Sequence, residues 1–494
     1  MTVPLIRTLL SAGGLSLLSQ GLALFRQSLG VSFFGLGREL DAYVTLASLL
    51  MVTVQSSAQI VESSLIGLLT ENRTLSGKES GQQPCGSFVL AGSLWSLSVV
   101  GVLALFYPLL IPLFTAGFSG AERAALDALA IDFLPWALLV IPFSALGACL
   151  KSAYDYQSFF IGEFLIAVVS TFALLCWHSD VGQIALAFGY GYGTANLFLL
   201  WRLARRDLLR GAMTFPWRKF LIRFTRHLGT NQLATAQTLA ERFWFSYLPA
   251  GNIAAIVIVQ QLVNSLVGLL SFREAYLVHL TEPEGQGHRI TRLLSGFFLM
   301  AISSLVWIYG AAEPLSALLF GYGKMAQDQV ALLADLLGLS LPIVLLTVIA
   351  MPVWRLLLLQ GRYKPLARVY AANTLITLIG GIIVIQLVGW GANGMILIGI
   401  LNALVGLLVA LRYAKKYGAR WSHRQRVFLG VSLISFLFVG GAGTTLIVQL
   451  PILPLFQILL VGAAAGLFML IYQQIFRREC RDLMKGDGFW AIQS

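Results

Sequence analysis

Fourteen long apolar runs, separated by short breaks of polar, glycine or proline residues, constrain this chain more than any other feature of its sequence. A helix needs about 20 apolar residues to cross a hydrocarbon layer of about 30 Å. The runs near 5–33, 40–70, 86–115, 125–150, 158–178, 181–203, 224–247, 252–280, 290–319, 328–360, 364–388, 392–416, 426–449 and 452–476 all reach that length. They are continuous, without the ten-residue alternation of an outer-membrane barrel. The expected fold is therefore an all-α polytopic membrane protein of about fourteen transmembrane helices. Composition agrees: 11% of the residues are charged and 57% hydrophobic, whereas soluble domains carry about 25% charged residues. No room remains for a large extramembrane domain, and the stretch after Met1 reads as a retained first span without a cleavage site.

Charge gives an independent check on the number of spans, because cytoplasmic loops of inner-membrane proteins collect Lys and Arg. With both termini cytoplasmic, 28 of the 34 basic residues fall on that side, and only Arg38, Arg123 and Lys324 fall on the other. Arg26, Arg242 and Arg355 lie inside spans. A miscounted helix in mid-chain would destroy this asymmetry. The net charge of +12 then reflects topology and attraction to anionic lipid headgroups, and no nucleic-acid partner is needed. The basic stretch from Trp201 to Arg226, with Trp217, Phe220 and Phe224 interleaved, has the pattern of an amphipathic interfacial linker.

The four cysteines (Cys85, Cys149, Cys176, Cys480) are scattered, and neither they nor the five histidines show disulfide or metal spacing. No cofactor is expected.

The two halves echo each other. A long helix ends at Phe34, Gly35, Leu36, Gly37 and the chain re-enters at Asp41, Ala42, Tyr43; later a long helix ends at Leu248, Pro249, Ala250, Gly251 and re-enters at Ile253, Ala254, Ala255. The segment Pro108 to Phe114 precedes a helix with Pro135 and Pro142, and the segment Pro314 to Phe320 precedes one with Pro342 and Pro352. The expected organisation is two pseudo-symmetric six-helix lobes, 1–203 and 224–416, joined by a cytoplasmic amphipathic linker, 204–223. Two further helices and a cytoplasmic tail occupy 417–494. Repeated lobes that rock about a central site are a common design for alternating access, and the paired prolines offer bend points.

Phe25 and Arg26, then Phe34 to Gly37, then Asp41 to Tyr43, resemble the first-helix signature of the MurJ (MviN) lipid II flippase family. That family lies within the multidrug, oligosaccharidyl-lipid and polysaccharide exporter superfamily. Glu241 to Gly251, Pro142 to Ala148 and Gln360 to Pro365 extend the likeness over nearly the whole chain. The resemblance implies two lobes in a V around a cationic cavity, with the last two helices forming a groove for a polyprenyl tail. It also exposes a departure. Of the arginines that family members place in the first, second and eighth helices, only Arg26 is present; the other positions fall on Gln20, on Val54 with Gln55, and on Gln261, and the acidic residue after Arg26 is replaced by Gln27.

Charged groups at membrane depth are costly, so they face a wet cavity or a partner; Arg26, Glu62, Glu163, Glu241, Arg242, Asp335 and Arg355 qualify. Gln55, Gln59 and Glu62 share one face of the second span; Gln261 and Asn264 share one face of the eighth. Gln20 and Gln27 lie seven apart on the first, and the seventh contributes Asn231, Thr238 and Arg242. Such a lining suits a glycan, with Arg26 and Arg242 available to a pyrophosphate through charge-assisted hydrogen bonds. The expected substrate-binding set is Arg26, Gln20, Gln27, Gln55, Gln59, Glu62, Asn231, Arg242, Gln261 and Asn264, with no catalytic residue. The bland alternative pairs Arg26 with Glu62 or Asp41 and makes the amides interhelical glue. Glu163 and Asp335 are expected to serve lobe packing, and most Trp and Tyr residues to anchor at the interface.

The expected function is a non-enzymatic flippase of the bacterial inner membrane. It would move an undecaprenyl-pyrophosphate-linked saccharide, either an exopolysaccharide repeat unit or a lipid II-like precursor, among membrane lipids and beside glycan-synthesis machinery. The missing arginines favour the exopolysaccharide unit. Rival classes are a drug or cation antiporter of the same superfamily, a membrane-bound glycan polymerase or ligase, and a non-transporting scaffold. The short outside loops speak against the enzymes.

Overall fold

The computed structural model describes residues 2–76, 85–209, 215–270, 286–360, 362–440, 447–449 and 453–475. Among these residues the regular structure is entirely helical. The first compact unit, Met1–Ala254, contains α1 (Thr2–Phe34), α2 (Arg38–Ser76), α3 (Gly86–Phe114), α4 (Gly120–Leu129), α5 (Leu134–Ser152), α6 (Tyr156–Cys176), α7 (Gly182–Arg205) and α8 (Trp217–Phe245). The second, Ala255–Ser494, contains most of α9 (Asn252–Leu270), then α10 (Gln286–Gly310), α11 (Ala312–Phe320), α12 (Gln327–Leu359), α13 (Tyr363–Gly381), α14 (Gly391–Lys416), α15 (His423–Ser435) and α16 (Pro454–Ile475). Segments of π-helix extend α13 through Ile382–Val388 and α15 through Phe436–Gly440. The boundary at Ala254 groups α8 with the first six spans, because α8 packs along α2 and α3.

Among the described residues nine helices are both long and apolar enough to cross a membrane, and the shorter apolar stretches Asn252–Val267 and Pro454–Met469 add to them. The chain is an all-α polytopic membrane protein. Among the described residues each apolar run of the sequence falls on a helix, with two differences. The run near 290–319 breaks between α10 and α11. The run near 125–150 is preceded by the separate helix α4, whose start is set by Ser119 and Glu122: the Ser119 amide donates to the Glu122 carboxylate at 2.7 Å and the Glu122 amide to the Ser119 hydroxyl at 3.4 Å. Pro135 then lies in the first turn of α5, where a missing N–H costs nothing. Its counterpart Pro342 lies inside the unbroken α12, where neighbouring helices accommodate it. Similarly, Pro108 to Phe114 closes α3 while Pro314 to Phe320 sits in the short α11, so the sequence echo falls on differently built segments.

Small residues let the helices of the first unit approach closely. A Cβ on Gly191 of α7 would stand 2.8 Å from the Ile166 carbonyl oxygen of α6, and one on Gly189 would stand 3.1 Å from Pro135. Between α3 and α5, a Cβ on Gly92 would lie 2.5 Å from that of Ala145, and the Ser96 hydroxyl donates to the Leu138 carbonyl at 2.8 Å. The outer side of α3 exposes Leu90, Leu94, Leu97, Leu105 and Leu109, an apolar stripe suited to lipid.

At the start of α9 the chain turns through Gly251, whose φ of +87° and 2.9 Å approach to the Leu36 carbonyl oxygen leave no place for a side chain. The buried Asp41 carboxylate of α2 accepts the amides of Gly251 at 2.5 Å and Ala254 at 2.7 Å, satisfying donors that a helix start leaves open. Asp41 is thus a helix cap.

In the second unit α12 is flanked by α10, α11 and α14. The two C-terminal spans dock on α10 through Ile302, Val306, Phe428, Phe436 and Tyr472. Trp421 donates to the Ser295 hydroxyl at 3.1 Å, the Arg420 amide to Thr291 at 3.1 Å, and Ser432 bonds Tyr472.

Candidate substrate site

Arg26 stands on α1, and α1 packs chiefly along α6. Its guanidinium donates to the Ser170 hydroxyl of α6, and its Cζ lies 3.9 Å from the centroid of the Phe188 ring of α7. Phe188 in turn stacks on Trp136 at 4.2 Å with an interplanar angle of 6°, Trp136 stacks on Phe133 at 5.6 Å, and Phe133 meets Tyr43 at 5.3 Å. Tyr192 of α7 packs edge-on against Phe143 of α5 at 5.6 Å. The guanidinium is therefore held by a hydroxyl and a column of aromatic faces, an arrangement worth about 2 kcal/mol or more when desolvated.

Both carboxylates that could have neutralised Arg26 are engaged elsewhere. Asp41 caps α9, as described above. Glu62 pairs with Lys151 of α5, whose ammonium also lies 3.6 Å from the centroid of Phe159. Among the described residues Arg26 has no ion-pair partner.

The amides distribute themselves unevenly. Gln20 and Gln27 are half-buried on α1, and the Gln20 Oε1 is buried with no hydrogen-bond partner among the described residues. Gln55 and Gln59 are exposed on one face of α2, while Val54 beside them is wholly buried. Ser56 and Thr235 hydroxyls meet at 3.3 Å where α2 crosses α8. Arg242 of α8 is buried, with its guanidinium 4.8 Å from the Phe245 ring; next to it Glu241 accepts from Gln237 at 3.4 Å. The side chain of Asn231 lies outside the described residues. In the second unit Gln261 and Asn264 are exposed on one face of α9. Between α13 and α14 of that unit, the buried Asn402 donates to Thr377 at 3.1 Å.

Sequence reasoning missed the aromatic column under Arg26 and the Lys151 partner of Glu62. A signal was present: Phe188, Gly189, Tyr190, Gly191, Tyr192 and Gly193 alternate rings with glycines, which lets α7 lie close on α6 while its rings reach toward α1 and α5. Trp136 and Tyr43 are buried rather than interfacial, whereas Trp177, Tyr190, Trp201, Tyr309 and Trp390 are exposed, as anchors are.

A second charged cluster closes the same unit. Asp155, the N-cap of α6, accepts from the Ser158 amide at 3.2 Å and hydroxyl at 2.8 Å, from Arg202 at 3.0 Å and from Arg206 at 2.9 Å. Burial alone opposes charge on this carboxyl, but the Ser158 and Arg202 hydrogen bonds, with the Arg206 charge, outweigh it and hold it below the usual carboxylate range. These interactions fasten α6 to the end of α7, and the cluster is read as structural.

Against solved structures, the "Lipid II flippase MurJ, inward closed conformation" superposes with a TM-score of 0.75 at 16% identity, covering 94% of this chain and 99% of that one. The protein has the MurJ fold. An inward-facing multidrug resistance MATE family transporter of the MOP superfamily matches with a TM-score of 0.60 at 15% identity, over 80% of this chain and 95% of that one. A MOP superfamily transporter from Pyrococcus furiosus matches at 0.56 and 14%, over 83% and 95%. No protein-family model matches the sequence, and no curated protein matches it. The MurJ-like fold thus extends over nearly all of both chains, whereas the MATE likeness covers less of this chain.

Proposed function

We propose that the protein is a membrane transporter that flips a polyprenyl-pyrophosphate-linked saccharide by alternating access, across a bacterial inner membrane with both termini cytoplasmic. The observation that carries this reading is Arg26: a guanidinium inside the first apolar run, fixed by Ser170 and Phe188, with no carboxylate in ion-pair contact with it among the described residues. A fixed cation of this kind suits an anionic group such as a pyrophosphate. The exposed amides Gln55 and Gln59 on α2, and Gln261 and Asn264 on α9, supply donors and acceptors for sugar hydroxyls. Gln20 adds a buried, unused acceptor on α1. In this reading the saccharide head crosses by alternating access while the polyprenyl tail stays in lipid.

Arginines of the MurJ signature are replaced by Gln20, Val54 with Gln55, and Gln261, which favours an exopolysaccharide repeat unit over lipid II as the cargo. The drug or cation antiporter reading draws on the MATE likeness, but an unneutralised arginine repels a cationic drug. The deciding experiment is expression in cells depleted of their lipid II flippase. The expected outcome is no rescue of growth, together with flipping of an undecaprenyl-pyrophosphate oligosaccharide in proteoliposomes. Rescue would reassign the cargo to lipid II. Proton- or sodium-coupled efflux of cationic dyes without glycolipid flipping would replace the flippase reading altogether.

A further inference from the structure

An arginine side chain turns about several bonds, so its guanidinium meets an oxyanion as a fork only where neighbours fix the plane and the direction of the group. Two neighbours of Arg26 do so. Ser170 of α6 is wholly buried, and its hydroxyl donates to the Ile166 carbonyl one turn back at 2.5 Å, so toward Nη1 of Arg26 the same oxygen acts as acceptor. Phe188 of α7 has the Arg26 Cζ 3.9 Å from its ring centroid and the Trp136 ring 4.2 Å away, nearly parallel at 6°. Groups this close cannot share one face, so the phenyl ring is clamped between them. Trp136 rests on Phe133 and Phe133 on Tyr43, all three buried. Among the described residues the guanidinium makes no other hydrogen bond and no ion pair, so its Nε–Nη2 edge is unspent.

The geometry points to Ser170 and Phe188 as positioning residues for anion recognition, which hold the Nε–Nη2 edge of Arg26 ready for two oxygens of a phosphoryl group in a bidentate pair. This rests on the reading of Arg26 as the contact for a pyrophosphate. Ser170 supplies the direction of one N–H and the face of Phe188 supplies the plane; either contact alone leaves the group free to turn about the other. A carboxylate in place of these neighbours would occupy the fork and cancel its charge. A hydroxyl acceptor and a ring face stabilise the cation and leave the fork open with its charge intact. Such backing also lowers the cost of binding, because the rotamers of Arg26 are given up on folding rather than when the anion arrives. Both residues act through Arg26. They stand on two different helices, and the close approach of α7 to the Ile166 carbonyl at Gly191 brings them to the same guanidinium.

The experiment measures binding of undecaprenyl pyrophosphate to the full-length protein in detergent, with undecaprenol as the uncharged control, and follows the melting temperature of every variant. Ser170→Ala and Phe188→Leu should each weaken undecaprenyl pyrophosphate binding by about tenfold, within the range of a charged hydrogen bond or a desolvated cation–π contact, and leave undecaprenol binding unchanged. Ser170→Thr and Phe188→Tyr should restore most of the affinity, because they keep the acceptor and the aromatic face. Equal loss of both ligands, or no recovery in the conservative variants, would reduce the two residues to packing and overturn the inference. It is also overturned if Ser170→Ala and Phe188→Leu bind the pyrophosphate like the parent protein while Arg26→Ala does not, an outcome that leaves the proposed function standing. If Arg26→Ala itself binds undecaprenyl pyrophosphate like the parent protein, the proposed function loses its site and the inference falls with it. Should Phe188→Leu fail to fold, the comparison of Ser170→Ala with Ser170→Thr decides.

Discussion

Arg26 shows how one residue can keep its sequence-level candidacy for a physical reason that the sequence does not display. Its two possible carboxylate partners are occupied, Asp41 by the amides of Gly251 and Ala254 and Glu62 by Lys151, so its charge is set against aromatic faces and the Ser170 hydroxyl. Replacing Arg26 with Ala should abolish glycolipid flipping while the protein still expresses and folds. Arg26→Lys should recover only part of the rate, because an ammonium lacks the planar fork and stacks less well on Phe188. Equal flipping by all three proteins, measured in proteoliposomes, would remove Arg26 from the site. Asp155 belongs to stability instead. Its carboxyl is held below its ordinary range in the folded protein, so its stabilising contribution is present above the unfolded pKa of about 3.9 and is lost as pH falls through the folded value. Asp155→Asn should therefore lower stability by about 1–3 kcal/mol near pH 7. The gap to the parent protein should close only in strong acid, as followed by thermal unfolding across pH.

At the scale of elements, helix positions follow from apolar run length, and their closest approaches follow from where glycines fall. Gly191 permits α7 to lie against the Ile166 carbonyl of α6, which in turn aims Phe188 beneath Arg26. Gly191→Leu should force these helices apart at a cost of about 1–3 kcal/mol, with a lower melting temperature and a loss of flipping that Gly191→Ala reproduces only in part. An unchanged melting temperature for the leucine variant would contradict the close packing. The helix breaks were less legible. Pro135 begins a helix and Pro342 lies within one, although both follow similar segments, because a proline in a buried span is tolerated or not according to what its neighbours offer the freed carbonyl. In the run near 290–319 the break between α10 and α11 falls at Gly310, just before Pro314, a helix-end signal inside an otherwise continuous apolar run.

For the molecule as a whole, the asymmetry of basic residues predicts the orientation, and Cys176 reports on it. A membrane-impermeant maleimide added to intact cells with a permeabilised outer membrane should label Cys176, at the exposed end of α6, on the side opposite both termini. Labelling of Cys176 only after the inner membrane is opened would invert the topology. From sequence alone came the all-helical membrane class, the approximate place of the helices among the described residues, the predicted sidedness and Arg26 as the residue to watch. These rest on quantities summed along the chain: run length against bilayer thickness, loop charge, and the cost of a buried ion. Tertiary structure alone decided which partner each ion finds, which rings stack beneath Arg26, and that Asp41 caps α9. Such pairings depend on which faces of separate helices meet, and helical periodicity specifies the face of one helix without naming the helix opposite.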